Sequence, residues 1–259
     1  MSQPPDGQAQ ETSQSFKLPA LDENFLLGDS MRGVRFLLEY AKADEILRDW
    51  NILSTIVVFG SARMHPDDKG PKGRWYQMAR DFGQLVSLHG GALEGDHRAR
   101  HNVIATGGGP GIMEAANRGA RDAGAPSIGF NITLPHEQAP NPYTTPELTF
   151  KFHYFAMRKM HLAMRASALV IFPGGFGTLD EMFEILTLRQ TGKMPDIPIM
   201  VVDKAYWTSV ISFDALAEHG TIDRKDLDLF TFADSAEDAW SQLKTAGIGS
   251  DVYNRDPQT

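Results

Sequence analysis

Pro173-Gly174-Gly175-Phe176-Gly177-Thr178-Leu179-Asp180-Glu181 follows the apolar run Ala168-Leu169-Val170-Ile171-Phe172 and precedes Met182, Phe183, Ile185 and Leu186, which recur at helical spacing. A short apolar run ending in glycines reads as a buried strand, and the change of period after it reads as a helix. The stretch is a strand-to-helix turn. Its three glycines let backbone N–H groups approach an anion with no Cβ in the way, and the positive end of the following helix favours negative charge there. The competing reading is a capping box, in which Thr178 caps the helix and Glu181 reaches back to the cap residue. Taken alone, the turn fits both.

The same strand-then-glycine pattern occurs twice upstream. Thr55-Ile56-Val57-Val58-Phe59 runs into Gly60-Ser61-Ala62-Arg63. Asn102-Val103-Ile104-Ala105-Thr106 runs into Gly107-Gly108-Gly109-Pro110-Gly111-Ile112-Met113-Glu114 and a helix carried by Ala115, Ala116, Ala120 and Ala123, with Pro110 suited to its start. Further strands are expected at Ser127–Leu134, Leu148–Phe152, Ile197–Val202 and Leu229–Phe232. Helices are expected near 30–50, 75–89, 155–166, on to Gln190, then at 206–218 and 235–245. Strands alternating with helices predict an α/β fold: a Rossmann-like, doubly wound, mostly parallel sheet flanked by helices. Residues 1–20 read as a disordered tail, 21–53 as an N-terminal helical extension and 54–250 as the single Rossmann-like domain.

Composition removes several classes. The 259 residues carry a formal net charge of −8 and no cysteine, which argues against a nucleic-acid partner and excludes thiolate nucleophiles, thiolate metal sites and disulfides. The first 20 residues lack a secretory pattern, and no apolar run approaches the ~20 residues that span a bilayer, so a cytoplasmic protein without membrane attachment is expected. From either starting glycine the second turn fails Gly-x-Gly-x-x-Gly, with Ile112 or Glu114 where the third glycine belongs, so NAD is disfavoured. There is no Gly-x-x-x-x-Gly-Lys-Ser/Thr, no nucleophile elbow and no His pair at metal spacing. No metal and no cofactor are implied.

The helix at 155–166 carries two stripes. Met157, Met160 and Met164 share one, expected to face the core, and Arg158, His161 and Arg165 share the other. An Arg-rich stripe is commonly a solvated face. Here the helix leads directly into the strand that delivers Pro173–Glu181, so Arg158 and Lys159 are within reach of a phosphate cleft. The proline-rich Pro135–Pro146 stretch reads as a loop able to cover it. Two glycine turns at strand ends, Glu114 and Glu181 early in the helices, and a basic pair upstream describe a site for a phosphorylated sugar. N-glycosidic cleavage needs little more, because one carboxylate can stabilise an oxocarbenium-like transition state while donors hold phosphate and base.

These motifs, Pro-Gly-Gly-Phe-Gly-Thr-Leu-Asp-Glu at 173–181, Arg158-Lys159, and Gly-Gly-Gly-Pro-Gly-Ile-Met-Glu at 107–114, resemble the "lonely guy" (LOG) family over about residues 54–220. Its members are phosphoribohydrolases that release a free base and ribose 5-phosphate from nucleoside 5′-monophosphates, including cytokinin riboside monophosphates. Many relatives bear the older label lysine decarboxylase. The resemblance places the catalytic pair on Arg158 and Glu181. It puts phosphate binding on Gly174, Gly175, Gly177 and Thr178, with Lys159 and Thr187, and makes Gly60, Ser61, Gly108, Gly109, Gly111 and Glu114 further substrate contacts. It implies a homo-oligomer, a dimer or larger, and a nucleoside 5′-monophosphate as the partner molecule. Related folds also include non-catalytic carriers of phosphorylated cofactors, the rival reading. The N-terminal segment, 92–101 and 135–146 exceed the compact plant-type pattern.

Overall fold

The computed structural model describes residues 7–93, 99–134 and 139–249, and the chain divides into two compact units between Lys42 and Ala43. In the first unit are α1 (Gln8–Glu11), single 3-10 turns at Gln14–Phe16 and Pro19–Leu21, α2 (Glu23–Leu27), and the start of α3 (Arg32–Asp49). No regular structure is expected from the sequence before residue 21. The order found there is local: the Asp22 carboxylate accepts from the Phe25 amide at 3.3 Å, capping α2, and from Gln14 Nε2 at 2.9 Å. The Arg35 guanidinium closes the other end of α2, donating to the carbonyls of Leu26 and Gly28 at 2.8 and 2.7 Å. Residues 1–6 of the expected tail lie outside the described residues.

The second unit contains β1 (Thr55–Phe59), α4 (Pro71–His89), β2 (Val103–Thr106), α5 (Ile112–Asp122), β3 (Ser127–Ile132), β4 (Thr149–Phe152), α6 (Phe155–Met164), β5 (Ala166–Ile171), α7 (Phe176–Gln190), β6 (Ile199–Val202), α8 (Lys204–Val210), α9 (Phe213–Glu218), β7 (Thr231–Ala233) and α10 (Ala236–Thr245). The strands form one seven-stranded sheet in the order β4-β3-β2-β1-β5-β6-β7, and every pairing is parallel. Strand side chains alternate between two cores. Val57, Phe59, Leu169, Ile171 and Val201 face Leu47, Leu162, Met182, Ile185 and Trp207. Ile56, Val58, Val170 and Val202 face Tyr76, Phe82, Ile112, Ala116 and Trp240. Only the second half of α3 belongs to this sheet: Ala43 and Leu47 are buried, whereas Val34, Leu37 and Leu38 are exposed. No helix among the described residues is long and apolar enough to cross a membrane.

Several boundaries differ from expectation, each for a local reason. Helix α4 starts four residues earlier than the apolar pattern, with Pro71 in its first turn after Gly70 at φ 70°. Helix α5 begins at Ile112, after Pro110, because Gly111 takes φ 74° as its cap. The helix expected over 206–218 breaks where Ile211 turns extended (φ −136°, ψ 124°). A capping box between Asp223 and Asp226 winds Arg224–Leu229 into a 3-10 helix and delays the last strand to Thr231. Of the expected covering loop, 135–138 lie outside the described residues. Its remainder is tied down at Asn141, which is buried and donates its amide to Gly108 O at 2.9 Å and Nδ2 to Gly109 O at 3.0 Å.

Helices α4 and α5 approach so closely that neither tolerates a side chain at the crossing. A Cβ at Gly83 would lie 2.3 Å from Ala116 O, and one at Gly119 would lie 2.0 Å from Arg80 O. Gly119→Ala is expected to cost about 2–3 kcal/mol by forcing the helices apart, roughly 5–10 °C in Tm. Gly33→Ala, where a Cβ meets nothing within 4 Å, should stabilise slightly. Thermal unfolding followed by circular dichroism tests the pair, and equal midpoints would contradict this close approach.

Candidate active site

The strand order reverses between β1 and β5, where open α/β sheets place their ligands beyond the carboxyl ends of the strands. Three loops converge there and brace one another. Phe172 N donates to Phe59 O at 2.9 Å, Ser61 N to Pro173 O at 3.1 Å, and Ile112 N to Ser61 O at 3.0 Å. Gly60 has to be glycine, since a Cβ would come 2.5 Å from Ile112 Cγ2. Between the loops opens a cavity of about 660 Å³ whose wall includes Gly60, Ser61, Arg63, Arg158, Gly174, Gly175, Gly177, Thr178 and Glu181. Its size is ordinary for a small-molecule site.

One wall is the start of α7. Helix α7 begins at Phe176, with Gly175 as a cap that supplies no side-chain hydrogen bond, and its first turn holds no carboxylate. The amides of Phe176, Gly177 and Thr178 therefore lack helical partners and, with the helix dipole, favour an anion. Thr178 is the third residue of the helix, not its cap, so the capping-box reading of Thr178 and Glu181 is overturned. Gly174 allows Thr178 to fold back, since a Cβ there would lie 2.1 Å from Thr178 Oγ1.

The other wall carries the charge. Arg158 on α6 is buried; its Nε donates to Phe130 O at 2.8 Å, and one terminal nitrogen lies 3.4 Å from Glu181 Oε1. Gly107 makes room for it: a Cβ would come 2.3 Å from Arg158 Nη2. Burial pushes the Glu181 carboxyl up to about 7, although the Arg158 and Lys159 charges pull the other way. The two stripes of α6 are thus reversed from expectation. Arg158 and His161 are buried, whereas Met164 is exposed and Met157 and Met160 are only half-buried. Of the polar stripe only Arg158 reaches the cavity; His161 packs against Phe130 and Phe152, and Arg165 pairs with Asp44 at 2.6 Å.

Other expected site residues lie elsewhere. Lys159, one residue on from Arg158, is rotated off the cavity and pairs with Asp180 Oδ2 at 2.7 Å and Glu184 Oε2 at 2.9 Å. Thr187 shares that face of α7, donating to Phe183 O at 2.7 Å, and both residues line a separate hollow of about 520 Å³. Glu114 accepts from the Tyr76 hydroxyl at 2.8 Å, and that phenol is pushed up to about 12 by burial and by this bond. Gly108, Gly109 and Gly111 support the cavity from behind without lining it: the carbonyls of the first two accept from Asn141, and Gly111 packs against Ser61 O and Ala62.

The cavity also includes Arg63, Met113, Phe176, Tyr206 and Val210, which sequence reasoning did not single out as site residues. Arg63 stood in the first turn and its charge was a visible signal. Tyr206 had none, because its position depends on Asp203, a non-glycine residue at φ 70°. The Asp203 carboxylate accepts from Tyr206 N at 3.0 Å, Trp75 Nε1 at 2.7 Å and Arg74 at 2.8 Å. Burial pushes this carboxyl up, but those bonds and the Arg74 charge outweigh it and hold it below the usual range. The phenol so placed donates to Gly174 O at 2.8 Å, pinning the first glycine of the key turn.

Fold and site define a Rossmann-like α/β protein with an anion seat and a buried Arg–Glu pair at its switch point. The chain belongs to the family described as "Possible lysine decarboxylase", the LOG family, whose model matches residues 113–243. It is 28% identical over 148 residues to the probable cytokinin riboside 5′-monophosphate phosphoribohydrolase LOG4 of Oryza sativa subsp. japonica, covering 56% of this chain and 63% of that protein. It is 26% identical over 181 residues to the cytokinin riboside 5′-monophosphate phosphoribohydrolase LOG3 of Arabidopsis thaliana (68% and 77%). The corresponding enzyme of Rhodococcoides fascians is 26% identical over 145 residues (55% and 69%). Among solved structures, the molybdenum cofactor binding protein from Rippkaea orientalis superposes with a TM-score of 0.50 at 18% identity, covering 75% of this chain and 96% of its own. The structural-genomics target TM1055 gives 0.51 at 23% identity, covering 74% and 99%. These two likenesses concern the fold.

Proposed function

We propose that the protein hydrolyses the N-glycosidic bond of nucleoside 5′-monophosphates, AMP or a cytokinin riboside 5′-monophosphate, to free base and ribose 5-phosphate, acting in the cytoplasm as a homo-oligomer. The observation that carries this reading is the buried Arg158–Glu181 pair beside an uncapped glycine-rich helix start. The phosphate sits on the amides of Phe176, Gly177 and Thr178, and the base lies against the apolar lining supplied by Met113, Leu179 and Val210. As the C1′–N bond breaks, its electron pair leaves with the base and positive charge grows on the ribose, which the Glu181 carboxylate stabilises. Water adds to C1′ from the carboxylate's side, and its proton passes to Glu181 and from there to the departed base nitrogen, which leaves a neutral free base and returns Glu181 to the carboxylate. Arg158 keeps the carboxylate charged and oriented. Exposed Phe155, Met164, Phe176 and Phe183 on α6 and α7 favour assembly of copies.

Amine decarboxylation through pyridoxal phosphate does not fit these residues. That chemistry needs a lysine to form a Schiff base, and none of the residues lining the cavity is lysine.

Incubation with AMP, isopentenyladenosine monophosphate, GMP and CMP should release base and ribose 5-phosphate in equal amounts from at least one of them. Tight nucleotide binding with no release from any would support a carrier instead.

A further inference from the structure

We infer that Arg63 is the phosphate-recognising cation of this cavity and sets its preference for nucleoside 5′-monophosphates over nucleosides, a proposal that rests on the function proposed above. The wall holds two guanidiniums, Arg63 and Arg158, and one carboxylate, Glu181. Arg158 is already engaged by Glu181 and by Phe130 O. Lys159, next in sequence, is held by Asp180 and Glu184 on another face. Arg63 meets no carboxylate among the described residues, and its side chain is exposed at the cavity. A lining cation without a counter-charge among the described residues, in a chain of net charge −8, is a place for an anionic ligand group.

The backbone that presents Arg63 is fixed where it has to be. Its amide donates to Ser61 Oγ at 3.1 Å, and Ser61 N is bonded to Pro173 O, immediately before the glycine turn. Behind it, Gly111 at φ 74° presses so closely that a Cβ would lie 2.8 Å from Ala62 Cα. The stem is thus anchored to the loop whose amides open α7, while the guanidinium is free to close on a phosphate seated there. A phosphate dianion would accept from backbone amides on one side and from a planar, two-pronged donor on the other, a geometry that suits arginine better than lysine.

The test pairs kinetics with calorimetry on Arg63→Ala and Arg63→Lys, using the full chain. Arg63→Ala should raise KM for the best nucleoside 5′-monophosphate about 10- to 100-fold, with the loss falling mainly on KM. It should weaken ribose 5-phosphate binding by a similar factor and leave the corresponding nucleoside's KM where it was. Arg63→Lys should recover part of the loss. If no monophosphate is hydrolysed, the functional reading fails, and the proposal for Arg63 still stands or falls on whether Arg63→Ala weakens binding of AMP and ribose 5-phosphate. Unchanged binding in a folded Arg63→Ala protein, an equal loss for the nucleoside, or a wild-type protein that binds neither ligand would overturn it.

Discussion

Glu181→Gln is expected to lower base release from nucleoside 5′-monophosphates by about 10³-fold while making the folded protein more stable above pH 7. Both effects come from one fact, that the carboxyl is held in a site that prefers it neutral. Its folded value of about 7 stands above an ordinary 4.5, so the native state binds this proton more tightly than the unfolded chain does. The resulting stabilisation is complete below pH 4.5 and is lost as pH rises through 7. Above that, the fold carries a buried carboxylate at a cost of roughly 3 kcal/mol. Glutamine is neutral at every pH and can still accept from Arg158, so the variant escapes the cost. Its Tm should match the wild type near pH 4 and exceed it by several degrees at pH 8.5. The wild-type kcat/KM should fall below pH 7, as the working carboxylate is protonated. A Glu181→Gln enzyme with undiminished turnover would falsify the role given to this residue, and a Tm difference independent of pH would contradict its burial.

The parallel sheet was legible because its strands are short apolar runs followed by glycines, a signal that depends only on local chain chemistry. Thr55–Phe59 matches the observed strand at both ends, and Ser127–Leu134 and Ile197–Val202 differ by two residues at one end. Boundaries set by a single backbone angle were not legible. Asp203 at φ 70° and Gly111 at φ 74° carry no pattern that a hydrophobic period can register. The site was legible along the chain but not around each helix. Gly174, Gly175, Gly177, Thr178, Arg158 and Glu181 come together as the motif implies. Lys159 and Thr187 do not, because one helical step rotates a side chain by about 100°, and the carboxylates of Asp180 and Glu184 hold Lys159 on the face it then occupies.

Reading the stripes of α6 by hydrophobicity inverted them for an instructive reason. Burying arginine is normally prohibitive, so periodicity assigns the methionines inward. The cost is met here by a backbone carbonyl on β3 and a carboxylate on α7, two groups distant in sequence. Arg63 was passed over for the opposite reason: its charge was plain, but only the fold shows that the competing cation, Lys159, is already paired elsewhere.

Arg158→Ala should reduce kcat/KM at pH 7.5 by about 100-fold or more and move the acidic limb of the pH profile to higher pH. The Arg158 charge is the largest influence holding the Glu181 carboxyl down against its burial, so its removal raises that group further above 7 and leaves it protonated where the wild type is charged. Breaking a buried pair ordinarily costs 3–5 kcal/mol because a charge is stranded. Glu181 can instead take up a proton, so below pH 7 the variant should lose much less stability than that and should lose more as pH rises. Arg158→Lys should not restore activity, since a single ammonium cannot both donate to Phe130 O and reach Glu181 as the forked guanidinium does. Gly107→Ala offers an independent route to the same end. Its Cβ would crowd Arg158 Nη2 at 2.3 Å and Met113 Sδ at 2.9 Å, both on flexible side chains, so the guanidinium should be displaced without unfolding. That variant should shift the acidic limb in the same direction by a smaller amount. Profiles of both variants that overlay the wild type would mean that the charge on Glu181 is set by something other than Arg158, and the pair would lose its place in the mechanism.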